Sequence, residues 1–159
     1  MLLCAPSTRA TLCSGSRLFE DAVASGYTSI AGDLVITNWR QANLGGSLLL
    51  ASLSGLYVSS NPGLRSLSGL RVGEVNRDVV IEANRALTNL TEPGALATIR
   101  GNVYVFANEA LTNLDGFAGS NISGRVSAST NRALTSVEGL CSAVVAGSVR
   151  LQYGSARAW

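Results

Sequence analysis

The sequence predicts an all-β fold in which about six coils of 23 to 24 residues stack into a short β-solenoid. An asparagine returns along the chain at intervals of 23, 23, 24 and 23 residues, and aliphatic residues alternate before each of these asparagines. A unit of this length cannot bury its apolar face alone, so it must stack on its neighbours. The recurring residues are Asn38, Asn61, Asn84, Asn108 and Asn131.

Two segments precede the first coil. We expect residues 1–12 to form a disordered leader. Their apolar run is too short for the core of a signal peptide and has no basic start. Residues 13–159 are expected to form one solenoid domain. Ser16 is placed to cap a helix near residues 17–25, whose apolar positions have helical spacing. This helix would cover the open end of the stack, where unpaired strand edges favour aggregation.

The later coils define the repeat most clearly. Alternating aliphatic residues with period two predict a strand that turns one face to the core, and the glycine before the strand suits a bend. Leucine or valine then recurs three and six residues after the asparagine. The positions are Ile99, Gly101, Val103, Val105, Asn108, Leu111 and Leu114 in one coil, and Ile122, Gly124, Val126, Ala128, Asn131, Leu134 and Val137 in the next.

The other coils depart from this pattern at single positions. Aligned on Gly32, the first coil places Trp39 rather than Asn38 in the asparagine position. The coil that contains Asn61 is one residue short before its strand. Arg77 stands where the next coil has its glycine, and Gly154 takes the asparagine position in the last coil.

The asparagines at the coil corners are predicted to be structural. A buried amide can satisfy the backbone of its own coil and also bond the equivalent amide of the next coil. We therefore assign Asn61, Asn84, Asn108 and Asn131 to a hydrogen-bonded ladder rather than to binding or catalysis.

Composition excludes several classes of function. The net charge is +2 with 14% charged residues, and the basic residues are all arginines spread evenly along the chain, which disfavours nucleic acid. Histidine is absent, so serine–histidine triads and most zinc sites are excluded. We expect no enzyme activity, no cofactor and no metal site. No apolar run is long enough to span a bilayer.

The three cysteines leave two disulfide alternatives open. None has a partner at C-x-x-C spacing, and an odd number allows at most one intramolecular pair. Cys13 with Cys141 would clamp the two ends of the stack, whereas Cys4 with Cys13 would tie the leader.

Three segments resemble the receptor L-domain: Ile30-Ala31-Gly32-Asp33-Leu34-Val35-Ile36, Asn61-Pro62-Gly63-Leu64 and Ile99-Arg100-Gly101-Asn102-Val103-Tyr104. This module is a short right-handed β-solenoid of insulin and epidermal growth factor receptors and of fungal and protist surface proteins. The resemblance covers roughly residues 13–154. It implies a non-catalytic extracellular or cell-surface recognition module, part of a longer polypeptide, whose open sheet face binds a protein or glycan.

A leucine-rich repeat is the neighbouring alternative, because its units are similarly long and also carry an asparagine ladder. Its leucine follows the asparagine by two residues. In this chain the leucine follows by three, at Leu64, Leu87, Leu111 and Leu134, which fits the L-domain better.

Alternation along the strands predicts a partner-binding face. The residues expected to point outward at its centre are Tyr57, Val80, Tyr104 and Phe106. Aromatic residues grouped on adjoining strands are typical of protein interfaces. The alternatives are cross-strand packing that only stabilises the sheet, or covering by the chain's own loops or a partner domain. A structural scaffold without a discrete ligand is the main alternative function.

Other stacked positions suggest less favoured functions. Asp115 and Glu138 share a position and resemble the carboxylate pair of a glycosidase, and the threonine row Thr88, Thr112 and Thr135 resembles an ice-binding surface. Arg85, Glu109 and Arg132 predict a surface salt ladder. Asn89 and Asn121 begin N-glycosylation sequons, which matter only if the chain is exported, and Asn121 is expected in a loop between coils.

Overall fold

The computed structural model describes residues 26, 28–44, 46–90 and 95–152. These residues contain eleven strands, which are, in chain order, β1 Leu34–Thr37, β2 Leu48–Leu53, β3 Leu56–Ser59, β4 Leu70–Val75, β5 Val79–Glu82, β6 Leu96–Ile99, β7 Val103–Phe106, β8 Asn121–Ile122, β9 Val126–Ser129, β10 Val144–Val145 and β11 Val149–Gln152. Helical structure in this part of the chain is confined to a 3-10 turn, Asp115–Phe117, and a short helix α1, Glu138–Cys141.

The strands form two parallel sheets. One sheet has six strands in the order β1-β3-β5-β7-β9-β11, and the other has five in the order β10-β8-β6-β4-β2. Each strand pairs with the strand that comes two later in the chain. The chain therefore winds as a β-solenoid of about five turns, with coils of roughly 23 residues. The predicted all-β solenoid is therefore confirmed. The predicted capping helix, Gly154, Cys4 and Cys13 lie outside the described residues.

Equivalent residues of successive coils lie beside one another, and this register creates the core. In the six-stranded sheet, Leu34 pairs with Leu56, Leu56 with Val79, Val79 with Val103, and Val103 with Val126. All five side chains are at most 1% exposed. The opposite sheet contributes a matching buried column, Leu53, Val75, Ile99 and Ile122. Burial of these two facing aliphatic columns is the main stabilising interaction of the stack.

Each coil contains a second strand that the sequence pattern did not predict. Strands β2 and β4 do not alternate strictly, because two consecutive residues leave the core between buried ones, as Ala51 and Ser52 do between Leu50 and Leu53. The strand bends at that point, and the bend hides the period of two. The leucines after the asparagine lie in irregular segments rather than in a long helix; Leu64 and Leu67 both point into the core.

The backbone takes a left-handed conformation at the residue before each asparagine position. The φ angles are 57° at Asn38, 55° at Ser60, 54° at Ala83, 56° at Ala107 and 57° at Thr130. Asn38 is thus equivalent to Ser60 and Ala83, not to Asn61. The structure confirms that Trp39 occupies the asparagine position of the first coil, as alignment on the glycines predicts.

Replacing Ala83 with glycine is expected to stabilise the protein by about 0.5–1 kcal/mol. A left-handed φ costs an L-residue about 1–2 kcal/mol, and this gain exceeds the entropic penalty of glycine. Chemical denaturation monitored by circular dichroism measures the difference. The matched control is Ala51→Gly in strand β2, where the same change meets no left-handed backbone and should destabilise. A loss of stability in Ala83→Gly would contradict the strain assigned to this corner.

Candidate functional site

The asparagine ladder, Asn61, Asn84, Asn108 and Asn131, runs through the interior along one edge of the six-stranded sheet. All four side chains are at most 2% exposed. Asn61 donates from Nδ2 to Asn84 Oδ1 at 2.8 Å, and Asn84 donates to Asn108 Oδ1 at 3.1 Å. Each of these oxygens also accepts the backbone N–H of the preceding asparagine, at 3.1 and 3.0 Å.

The ladder also satisfies backbone carbonyls of the strands. Nδ2 of Asn61, Asn84, Asn108 and Asn131 donates to the carbonyls of Ile36, Val58, Ile81 and Val105, respectively, at 2.9–3.0 Å. In Asn61, Asn84 and Asn108 both N–H groups of the amide have acceptors inside the protein and the oxygen accepts at least one hydrogen bond, so these side chains are not available to a ligand. Their role is to hold consecutive coils in register.

Trp39 ends the ladder at the first coil rather than breaking it. Its backbone N–H donates to Asn61 Oδ1 at 2.8 Å, as the backbone N–H of an asparagine does in the later coils. Its side chain is 1% exposed, and its Nε1 donates to the carbonyl of Asn43 at 2.8 Å. The indole ring of Trp39 therefore stands where the later coils have the amide of an asparagine. The ladder tolerates this because Asn61 Oδ1 needs only the backbone N–H of residue 39 from the first coil.

The aromatic face, which we define as Tyr57, Val80, Tyr104 and Phe106, lies on the outer side of the six-stranded sheet. Tyr57 pairs with Val80, and Val80 pairs with Tyr104, so these three side chains form one row across β3, β5 and β7. Phe106 lies in the next row beside Glu82. All four side chains are partly exposed, while their sequence neighbours Val58, Val79, Ile81 and Val105 are buried.

The ring of Tyr57 lies close to Gly55, in the coil that is one residue short. A Cβ added at Gly55 would come within 2.8 Å of Tyr57 Cε2 and 2.9 Å of Asp33 Oδ1. Asp33 Oδ1 is buried and has no hydrogen-bond partner among the described residues. A side chain at position 55 would therefore meet both the ring of Tyr57 and the carboxylate of Asp33.

Glu82 is the acidic residue of this surface. Its side chain is partly buried, and no hydrogen bond or ion pair to it is found within the described residues. Two acids near this surface have partners, unlike Asp33 Oδ1: Glu74 pairs with Arg100, and Asp78 accepts two hydrogen bonds from Asn102, at 2.7 and 3.1 Å. One other outward residue of the six-stranded sheet is charged, Arg150 on the end strand β11. The outward residues are Val35, Thr37, Tyr57, Ser59, Val80, Glu82, Tyr104, Phe106, Ser127, Ser129, Arg150 and Gln152.

The hydroxyls of the threonine row, Thr88, Thr112 and Thr135, hydrogen-bond one coil to the next. Thr88 donates its hydroxyl to the carbonyl of Arg65, Thr112 to that of Thr88, and Thr135 to that of Thr112, at 3.1–3.3 Å. Each hydroxyl proton is therefore directed to the preceding coil instead of to solvent.

The charged columns are surface features. Arg85 Nε lies 4.0 Å from Glu109 Oε1 with both side chains mostly exposed, so this pair adds little stability. Asp115 lies in the 3-10 turn and Glu138 begins α1, and these two short elements stack on one another. No group of acids, cysteines or histidines that could hold a metal ion occurs in the described ranges.

The two sequon asparagines are both exposed. Asn121 is the first residue of strand β8, paired with Thr98 and Val144, so the expectation that it lies in a loop is wrong. The error follows from the second strand of each coil, which the repeat pattern did not reveal. Cys141 is exposed and has no disulfide partner among the described residues, and Cys4 and Cys13 lie outside them.

A second surface was missed by the sequence pattern. The outer side of the five-stranded sheet has an apolar groove of about 390 Å³, lined in part by Leu49, Ala51, Gly73 and Ala97. Leu49 is 59% exposed. The available signal was the run Leu48-Leu49-Leu50, in which strict alternation cannot bury all three side chains.

Comparisons with family models, curated protein sequences and solved structures find no match to this chain. Among the described residues, no helix has the length and apolar character needed to cross a membrane.

Proposed function

We propose that this chain is a non-catalytic recognition module of the receptor L-domain type, displayed outside the cell or at its surface. It binds a protein or glycan partner through the aromatic face. The observation that carries this proposal is the row of Tyr57, Val80 and Tyr104 with Phe106 beside it, partly exposed on a regular sheet.

Aromatic side chains suit such a role because they supply a large contact area at a low cost in conformational entropy, and because they are enriched at interfaces. In this sheet they are carried on three adjacent in-register strands, which keeps the surface preorganised. If the chain is exported, the exposed sequon asparagines, Asn89 and Asn121, are accessible for glycosylation.

A structural scaffold without a discrete ligand is the second candidate. It is favoured by the number of polar side chains that bond one coil to the next, including the asparagine ladder and the threonine row. In that case the aromatic face would contribute only cross-strand packing, at about 0.2–1 kcal/mol per pair.

Replacing Tyr57, Tyr104 and Phe106 together with serine separates the two candidates. We expect the triple variant to fold cooperatively, because the side chains lie outside the core, and to lose at least about tenfold in affinity for partners identified with the wild-type chain. Partners are sought on a glycan array and on a panel of purified extracellular proteins. Leu49→Ser in the apolar groove is the control and should bind as the wild type does. Unchanged binding by the triple variant would exclude the aromatic face.

A further inference from the structure

Glu82 is the only acidic residue in the described strands of the six-stranded sheet; it is partly buried, and its side chain has no partner among the described residues. Removing a carboxylate from water costs free energy unless a cation or a hydrogen-bond donor compensates. Its neighbours across the sheet are Ser59 and Phe106. No arginine of the described chain reaches it, although Arg100 and Arg85 pair with other acids.

The surroundings of Glu82 suit a cation. Phe106 lies directly beside it on the neighbouring strand, and Tyr104 is two residues earlier on the same outward face of β7. Adjacent strands are about 4.8 Å apart, so a cation bonded to the carboxylate would lie within about 6 Å of an aromatic ring. Carboxylate pairing and cation–π attraction would then act on the same group.

The charge near Glu82 selects the partner. The outward residues of the six-stranded sheet carry one negative charge, Glu82, and one positive charge, Arg150, which lies three strands away on β11. The outward residues of the two strands beside Glu82, β3 and β7, are uncharged. A glycan hydroxyl can donate a hydrogen bond to the carboxylate but does not neutralise its charge, and an acidic partner would be repelled by it. A guanidinium group fits best, because it is planar, stacks on aromatic rings and bonds a carboxylate through two N–H groups.

We propose that the occupant of the aromatic face is an extended segment of a partner polypeptide that places an arginine side chain between Glu82 and the rings of Tyr104 and Phe106. This inference rests on the proposed function and specifies its partner. The segment's apolar side chains would cover Tyr57 and Val80 in the adjoining row.

The test uses the full chain and two synthetic peptides, acetyl-(Arg-Thr)3-amide and its counterpart with citrulline at each arginine. Citrulline has nearly the shape of arginine but no charge. We expect the arginine peptide to bind about tenfold more tightly than the citrulline peptide, with nuclear magnetic resonance shifts at Tyr104 and Phe106. Glu82→Gln should remove most of this preference, whereas Glu109→Gln, an exposed acid elsewhere, should retain it.

Several results would overturn the inference. Equal binding of the two peptides, or an unchanged arginine preference in Glu82→Gln, would show that the carboxylate does not select a cation. Self-association of the wild-type chain that Glu82→Gln abolishes would identify a second copy as the occupant. If the triple serine variant loses its partner while Glu82→Gln keeps it, this inference fails and the proposed function stands. Thermal unfolding of Glu82→Gln confirms that the variant is folded.

Discussion

An Asn108→Ala substitution is expected to lower the free energy of unfolding by about 3–5 kcal/mol. Asn108 is fully buried and bonds both neighbouring coils. Its Oδ1 accepts from the backbone N–H and from Nδ2 of Asn84, and its Nδ2 donates to the carbonyl of Ile81 at 2.9 Å. With alanine at this position, the backbone N–H and Nδ2 of Asn84 and the carbonyl of Ile81 would lose their hydrogen bonds to Asn108 in the interior. Each unsatisfied buried group costs about 1–3 kcal/mol. Urea denaturation followed by circular dichroism measures the loss.

The matched control is Asn89→Ala, which removes the same side chain from an exposed position. We expect its effect to stay within about 0.5 kcal/mol, as for most surface substitutions. A single domain is typically stable by only about 5–15 kcal/mol, so the Asn108 variant should also lose much of its amide protection in hydrogen exchange. A loss below about 1 kcal/mol for Asn108→Ala would show that the ladder does not hold the coils in register.

The repeat arithmetic predicted the parts of the fold that depend on stacking. In a solenoid, equivalent residues contact one another, so a constant interval is enough to place Val79 beside Val103 and Asn84 beside Asn108. The alternation before each asparagine likewise predicted which strand residues face the core. These features follow from the spacing of residues alone and do not depend on side-chain conformation.

The features that escaped prediction depend on local geometry. In β2 and β4 two consecutive residues leave the core, such as Ala51 and Ser52, which removes the period of two. Tyr57 and Asp33 both approach Gly55, and this approach depends on the backbone path through the coil that is one residue short. Whether Glu82 has a partner depends on which arginines reach it, and spacing does not determine this for a long, flexible side chain.

A Gly124→Ala substitution is expected to destabilise the protein by about 2–4 kcal/mol for a purely steric reason. Gly101, Gly124 and Gly147 stack at the corner where the five-stranded sheet turns into the six-stranded one, and Gly124 N–H donates to the carbonyl of Gly101 at 3.0 Å. A Cβ at Gly124 would overlap that carbonyl oxygen and lie 2.7 Å from Asn102 Oδ1. Because the obstacle is backbone, relieving the overlap requires the two coils to separate and weakens the packing of Val103 against Val126.

Gly119→Ala is the informative comparison, because Gly119 has a φ of 74° and a Cβ there would meet no atom within 4 Å. Its substitution tests conformational strain without a clash and should cost about 1–2 kcal/mol. Gly124 has no left-handed φ, so its larger loss would come from close approach of the coils alone. Thermal and urea unfolding of the two variants should therefore rank Gly124→Ala below Gly119→Ala in stability. The reverse order would mean that contact at this corner does not limit the spacing between coils.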